Sequence, residues 1–116
     1  MGNEARAVAL KRTLSALGLC RKAGKMICGT PMICDALAGA KKPFLVLAAS
    51  DNSENTQKRL RDRSAFYGVE LIVLDIEGET LAKAVGKSGK LSAVALTDKN
   101  LCQLVRGSIQ DLSERA

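Results

Sequence analysis

The chain has 116 residues, 47% of them hydrophobic, which suffices for the core of one domain without disulfide or metal staples. Its net charge is +6 and it has no histidine, so a histidine base is excluded. No apolar run approaches the ~20 residues of a membrane span, and residues 1–10 carry Glu4 and Arg6 instead of the apolar stretch of an export signal. The expectation is a cytoplasmic protein with no membrane partner.

Residues 4–22 read as a helix, with Leu10, Leu14 and Leu17 at helical spacing and Gly24 as its stop. Met26-Ile27-Cys28 reads as a short strand. Thr30 suits the N-cap of a second helix and Pro31 its first position, with Ile33 and Leu37 facing the core and Gly39 to Pro43 ending it. Residues 44–49 are a continuous apolar run, which reads as a strand buried on both faces. Asp51-Asn52-Ser53 supplies caps for a third helix over residues 54–67, closed by Gly68. Residues 69–74 read as a second buried strand. A short helix over residues 78–85 turns Leu81, Ala84 and Val85 inward. A loop, Gly86 to Lys90, leads to a third buried strand, Leu91 to Leu96. Thr97 or Asp98 caps a last helix, in which Leu101, Leu104, Val105, Ile109 and Leu112 repeat at helical spacing. Alternating strands and helices predict an α/β chain, a three-layer α/β/α sandwich with a four-stranded mixed sheet, organised as a single domain over residues 1–116.

The charge is unevenly placed. Residues 1–63 hold 12 basic and 5 acidic side chains, net +7, and residues 64–116 hold 6 and 7, net −1. Between Glu4 and Asp35 there is no acid, while Arg6, Lys11, Arg12, Arg21, Lys22 and Lys25 are all basic. A one-sided positive field attracts polyanions, of which nucleic acid is the commonest; the competing reading is a solvated helix face. The third helix, with Lys58, Arg59, Arg61, Asp62 and Arg63, divides the same way between solvation and a second phosphate-contacting surface.

Enzyme motifs fail one by one. Gly86 to Leu91 faintly resembles a phosphate-binding P-loop, but Ala84 stands where its first Gly belongs and Leu91 where Ser or Thr belongs. Gly86-Lys87-Ser88-Gly89 matches the GXXG of KH domains, but a strand follows where that fold has a helix. Asp51 and Glu54 read better as helix caps than as an acid–base pair. Cys20, Cys28, Cys34 and Cys102 are separated by 8, 6 and 68 positions, which fits no zinc spacing, and they read as core or near-core thiols. No catalytic residue, metal or cofactor is expected. Phe44 begins a strand read as buried and Phe66-Tyr67 end a helix, so the strand-borne aromatics of RRM and OB-fold proteins are absent.

Several stretches together resemble the bacterial YlxQ-like branch of the ribosomal protein family called L-seven-Ae/L-thirty-e. They are Leu17 to Lys25 followed by Gly29, Leu45 to Thr56, Phe66 to Val69, Ala84 to Lys87, and Ala93 to Lys99. The resemblance runs through nearly the whole chain in one order, and that family has the layered fold expected above. It implies a non-catalytic RNA-binding protein associated with the ribosome or with another structured RNA, its partner being rRNA or another kink-turn-like RNA. Its better-known relatives bind kink-turns, RNA helices bent sharply at an internal loop, through a helix N-terminus and a second loop that covers the bases. The first element would be Lys25 to Met32 and the second Lys87 to Leu91. In that reading Arg21, Lys22 and Lys25 contact phosphates, together with unpaired amides at the start of the second helix. Cys28, Gly29, Thr30, Pro31 and Met32 form the docking tip, and Lys87, Ser88, Gly89, Lys90 and Leu91 the covering loop. Gly29 and Thr30 match the pattern of the strongest kink-turn binders. Pro31, Met32 and Asp35 replace its Asn, Glu and Lys, and Cys28 stands where a basic residue is common. Those replacements leave a second expectation open, a protein-interaction module of the same fold that has lost kink-turn specificity.

Overall fold

Apolar alternation in two four-residue strands divides the core into two halves. The computed structural model describes residues 2–113. Its elements in chain order are α1 (Gly2–Lys22), β1 (Met26–Cys28), α2 (Thr30–Ala38), β2 (Leu45–Ala48), α3 (Glu54–Phe66), β3 (Leu71–Val73), α4 (Gly78–Ala84), β4 (Ala93–Leu96) and α5 (Lys99–Ser113). The four strands form one mixed sheet in the order β1-β4-β2-β3, with β4 antiparallel to both neighbours and β2 parallel to β3. In β2 and β4, the central strands, every residue is buried.

Leu45, Leu47, Val94 and Leu96 face α1, α4 and α5, where Leu17, Leu81 and Val105 complete the packing. Val46, Ala48, Ala93 and Ala95 face α2 and α3, against Ile33, Leu37 and Leu60. The period of two sends large residues from β4 to the three-helix side and two alanines to the two-helix side, which lets α2 approach the sheet closely. The result is a layer of helices on each face of the sheet, the α/β arrangement expected from the sequence.

Several details differ from the sequence reading. β3 is an edge strand: Leu71 and Ile72 are half-buried and Val73 is exposed, because only β2 flanks it. In α4 it is Ala82, not Ala84, that is buried beside Leu81. Leu104 is exposed on the outer face between α1 and α5, beside Val8 and Leu19. The side chain of Leu112 lies outside the described residues. Ser53, not Asp51, caps α3, its hydroxyl accepting from the Thr56 amide at 3.2 Å. Asp98 caps α5 by accepting from the Leu101 amide at 2.9 Å.

The turn out of α1 sets the direction of β1. Gly24 has φ 70°, and the Lys25 amide donates to the Cys20 carbonyl at 2.9 Å, the bond that closes a helix on a left-handed glycine. The chain turns there, out of α1 and into β1, which joins the sheet beside β4.

Candidate nucleic-acid interface

Strand direction gives the sheet two distinct edges. At one, β1 and β2 end and β4 begins: Gly29, Ser50, Asp51 and Ser92 lie here. At the other, β1 and β2 begin and β4 ends: Lys25, Phe44 and Thr97 lie there, the Thr97 amide donating to the Lys25 carbonyl at 3.0 Å. Four residue steps at about 3.3 Å each put Lys25 about 13 Å from Gly29.

Gly29 starts α2 with φ 90° and ψ 145°, a backbone conformation that only glycine adopts freely. Its amide donates to the Ala93 carbonyl at 2.9 Å. Thr30 is not the N-cap expected from the sequence. It is the first helical residue, buried, and its hydroxyl lies 2.7 Å from that of Ser92, while its amide donates to the same Ser92 oxygen at 3.3 Å. A partner 62 residues away outcompetes local capping, and it joins the start of α2 to the end of the 86–92 loop. Pro31 has no amide proton and fits the first turn. Of the amides at this helix start, the expected unpaired set reduces to that of Met32, since Gly29 and Thr30 spend theirs on β4 and the residue before it. Pro31 and Met32 are exposed, Met32 at 61%, so the tip is apolar.

The 86–92 loop is tethered at both ends, the Gly86 and Lys87 amides donating to the Lys83 and Ala82 carbonyls at 3.1 and 2.8 Å. The Leu91 amide donates to the Gly78 carbonyl at 3.0 Å, and Leu91 is buried in the core, so it anchors the loop instead of covering a ligand. Lys87, Ser88, Gly89 and Lys90 are exposed. Asp51 reaches across: one carboxylate oxygen accepts from the Gly78 amide at 2.8 Å and the other lies 3.3 Å from Lys90 Nζ. The Gly78 bond, followed by Lys90, holds this carboxyl below its ordinary pKa. Asn52 donates to the Ser92 carbonyl at 2.9 Å and also lies 2.9 Å from Gln57 Oε1. Asp51, Asn52 and Ser92 are therefore positioning residues that sequence reasoning misses. A lone hydroxyl residue inside the apolar run Leu91 to Leu96 is the available signal for Ser92.

The three cations grouped in the sequence separate in space. The Arg21 guanidinium donates to Cys28 Sγ at 3.3 Å, which puts it beside the Gly29 turn. Lys22 lines a groove between α1 and α4 with Lys11, Ser15, Gly18, Leu19 and Ala84. Lys25 sits at the opposite sheet edge. All four cysteines are free thiols; Cys28 is half-buried and the other three are buried, with Cys20 pushed up in pKa first by desolvation. Among the described residues no group of three or more Cys, Asp or Glu side chains is arranged to hold a metal, and no helix is long and apolar enough to cross a membrane.

A mixed four-stranded sheet layered between helices is a fold shared with several solved structures. A protein of unknown function from Bacillus halodurans superposes with a TM-score of 0.77 at 24% identity, covering 85% of this chain and 97% of that one. A 15.5-kilodalton RNA-binding protein from Giardia lamblia superposes with a TM-score of 0.68 at 14% identity, covering 96% and 90%. At these identities the likeness is one of fold. Sequence comparison goes further. The RNA-binding protein YlxQ of Enterococcus faecium is 31% identical over 84 residues, 72% of this chain and 80% of its own length. YlxQ of Bacillus subtilis is 30% identical over 83 residues, with the same coverage. No protein-family profile matches the chain. The chain belongs to the YlxQ family.

Proposed function

We propose that this chain is a non-catalytic cytoplasmic RNA-binding protein, associated with the ribosome, that recognises structured, kink-turn-like RNA with the Gly29 edge. The names of its YlxQ relatives support the RNA part of this reading. The observation that carries it is the join between Thr30 and Ser92, which makes the start of α2 and the 86–92 loop one rigid surface. Arg21, Lys87 and the Met32 amide supply positive potential around it. Pro31 and Met32 offer apolar contact where hydrogen-bonding groups would read base edges, so recognition here rests on the shape of the bent RNA and its backbone.

A filter-binding titration against a kink-turn RNA and an unkinked duplex of equal length, at two salt concentrations, tests the proposal. The kink-turn RNA is expected to bind more tightly, with affinity falling as salt rises. Equal binding to both RNAs removes the kink-turn specificity; no binding to either leaves the fold as a protein-interaction module.

A further inference from the structure

The chain has three aromatic residues, Phe44, Phe66 and Tyr67, and all three gather at the sheet edge opposite Gly29. Phe44 immediately precedes β2 and, in the parallel register of Val46 with Leu71, stands opposite Val69, two residues after Tyr67. Phe66 and Tyr67 meet edge to face, with centroids 4.9 Å apart and planes at 87°. The Lys42 ammonium lies 5.2 Å from the Tyr67 centroid, a cation–π contact, and donates to the Gly39 carbonyl at 2.8 Å. Tyr67 and Lys42 therefore have structural employment. Phe66 touches the Tyr67 ring but leaves most of its own surface open: it is 80% exposed, the most open large hydrophobic side chain among the described residues, and Phe44 is 49% exposed. The buried position expected for Phe44 from the sequence is corrected here, because the strand begins one residue later, at Leu45.

The charge around these rings is one-sided. Lys25 and Lys41 are exposed in loops at this edge, and Arg63 is exposed in the last turn of α3, its carbonyl accepting from the Tyr67 amide at 3.2 Å. The nearby acids are engaged: Asp62, one turn before Phe66, pairs with Lys58 at 2.7 Å, Glu70 pairs with Arg106 at 2.6 Å, and Asp98 caps α5. A cation in the last turn of a helix is explained by the helix dipole. Two solvent-facing rings beside exposed loop lysines are not explained by folding, and they match the two things a single strand offers, a base face and a phosphate.

We infer that this edge is a second nucleic-acid site, which takes unpaired single-stranded RNA by stacking bases on Phe66 and Phe44 and holding phosphates with Lys25 and Lys41. It is separate from the Gly29 edge and independent of kink-turn recognition. A protein surface of acidic character would also be drawn to the charge, but charge alone makes no use of the two open rings, and +6 on each copy opposes self-association.

The test uses the full chain and fluorescein-labelled oligouridylate, which forms no kink-turn, followed by fluorescence anisotropy at low salt. Phe66→Ala and Phe44→Ala each weaken oligouridylate binding by about tenfold, Phe66→Tyr keeps it, and all three leave the kink-turn RNA affinity unchanged. Arg21→Glu does the reverse. If the kink-turn RNA fails to bind while oligouridylate binding still depends on Phe66, the proposed function falls and this site stands. The site is overturned if wild-type chain does not bind oligouridylate, or if Phe66→Ala binds it as wild type does. It is also overturned if only Lys25→Glu and Lys41→Glu matter, or if sedimentation shows a dimer that Phe66→Ala dissociates.

Discussion

The two edges of the sheet are built on opposite plans. At the Gly29 edge, backbone and hydroxyl groups from three segments are tied to one another: Gly29 to Ala93, Thr30 to Ser92, Asn52 to Ser92, Asp51 to Gly78. At the far edge the side chains that would meet a ligand, Phe66, Phe44, Lys25 and Lys41, are exposed. A surface fixed by internal bonds suits a ligand that already has a shape, such as a bent duplex. Open rings and long-stemmed lysines suit a ligand that brings none. The difference is one of preorganisation: ordering costs are met during folding at one edge and during binding at the other.

The sharpest way to break this contrast is at Gly29. Valine there must hold φ 90°, ψ 145°, at a cost of about 1–3 kcal/mol. No atom closer than Pro31 Cδ at 4.0 Å crowds a new Cβ, so the loss is backbone strain and not a clash. Urea denaturation is expected to show that loss, and kink-turn RNA affinity to fall with it, while oligouridylate binding holds.

Next in size is the hydroxyl pair. Thr30→Val and Ser92→Ala each cost about 1 kcal/mol by thermal or urea unfolding. Their double-mutant cycle is expected to give a coupling of the same order, because both remove one contact. An additive cycle would mean that the two segments are not joined.

Arg21 and Lys25 compare the edges directly, four positions apart in sequence. Arg21→Ala lowers the slope of log affinity for kink-turn RNA against log salt by about one contact, and Lys25→Ala leaves it unchanged. Equal slopes for the two variants would erase the separation of edges.

The smallest effect is a pH dependence at Asp51. Its carboxyl is held below the ordinary value, so its contribution to stability is full above its unfolded pKa of about 3.9 and is lost as pH falls through the lower folded value. Asp51→Asn keeps an acceptor for Gly78 but removes the charge. Its midpoint temperature is expected to fall less than that of wild type on acidification below about pH 4.

Most of the architecture was legible because helical spacing and unbroken apolar runs report burial directly, as Leu17, Ile33, Leu37 and residues 45–48 illustrate. What was not legible depended on where the chain turns. Arg21 and Lys25 look like one cluster in the linear sequence, and the turn at Gly24 sends Lys25 to the start of β1 while Arg21 reaches along the helix to Cys28. Thr30 before Pro31 carries the local signature of a cap, and no local pattern announces a hydroxyl 62 residues on. Strand order was equally hidden, since it is set by which faces bury best together and not by any one segment.

That strand order has a consequence for how the molecule comes into being. β4, built from residues 93–96, is the last of the four strands in chain order and lies inside the sheet, as the sole strand partner of β1 among the described residues. A nascent chain lacking it has β1 stranded without a neighbour and both binding-edge segments without their anchor. Assembly must therefore wait for distant stretches of polypeptide to meet, a topology that slows folding. A chain without β4 would therefore lack the Gly29 surface altogether.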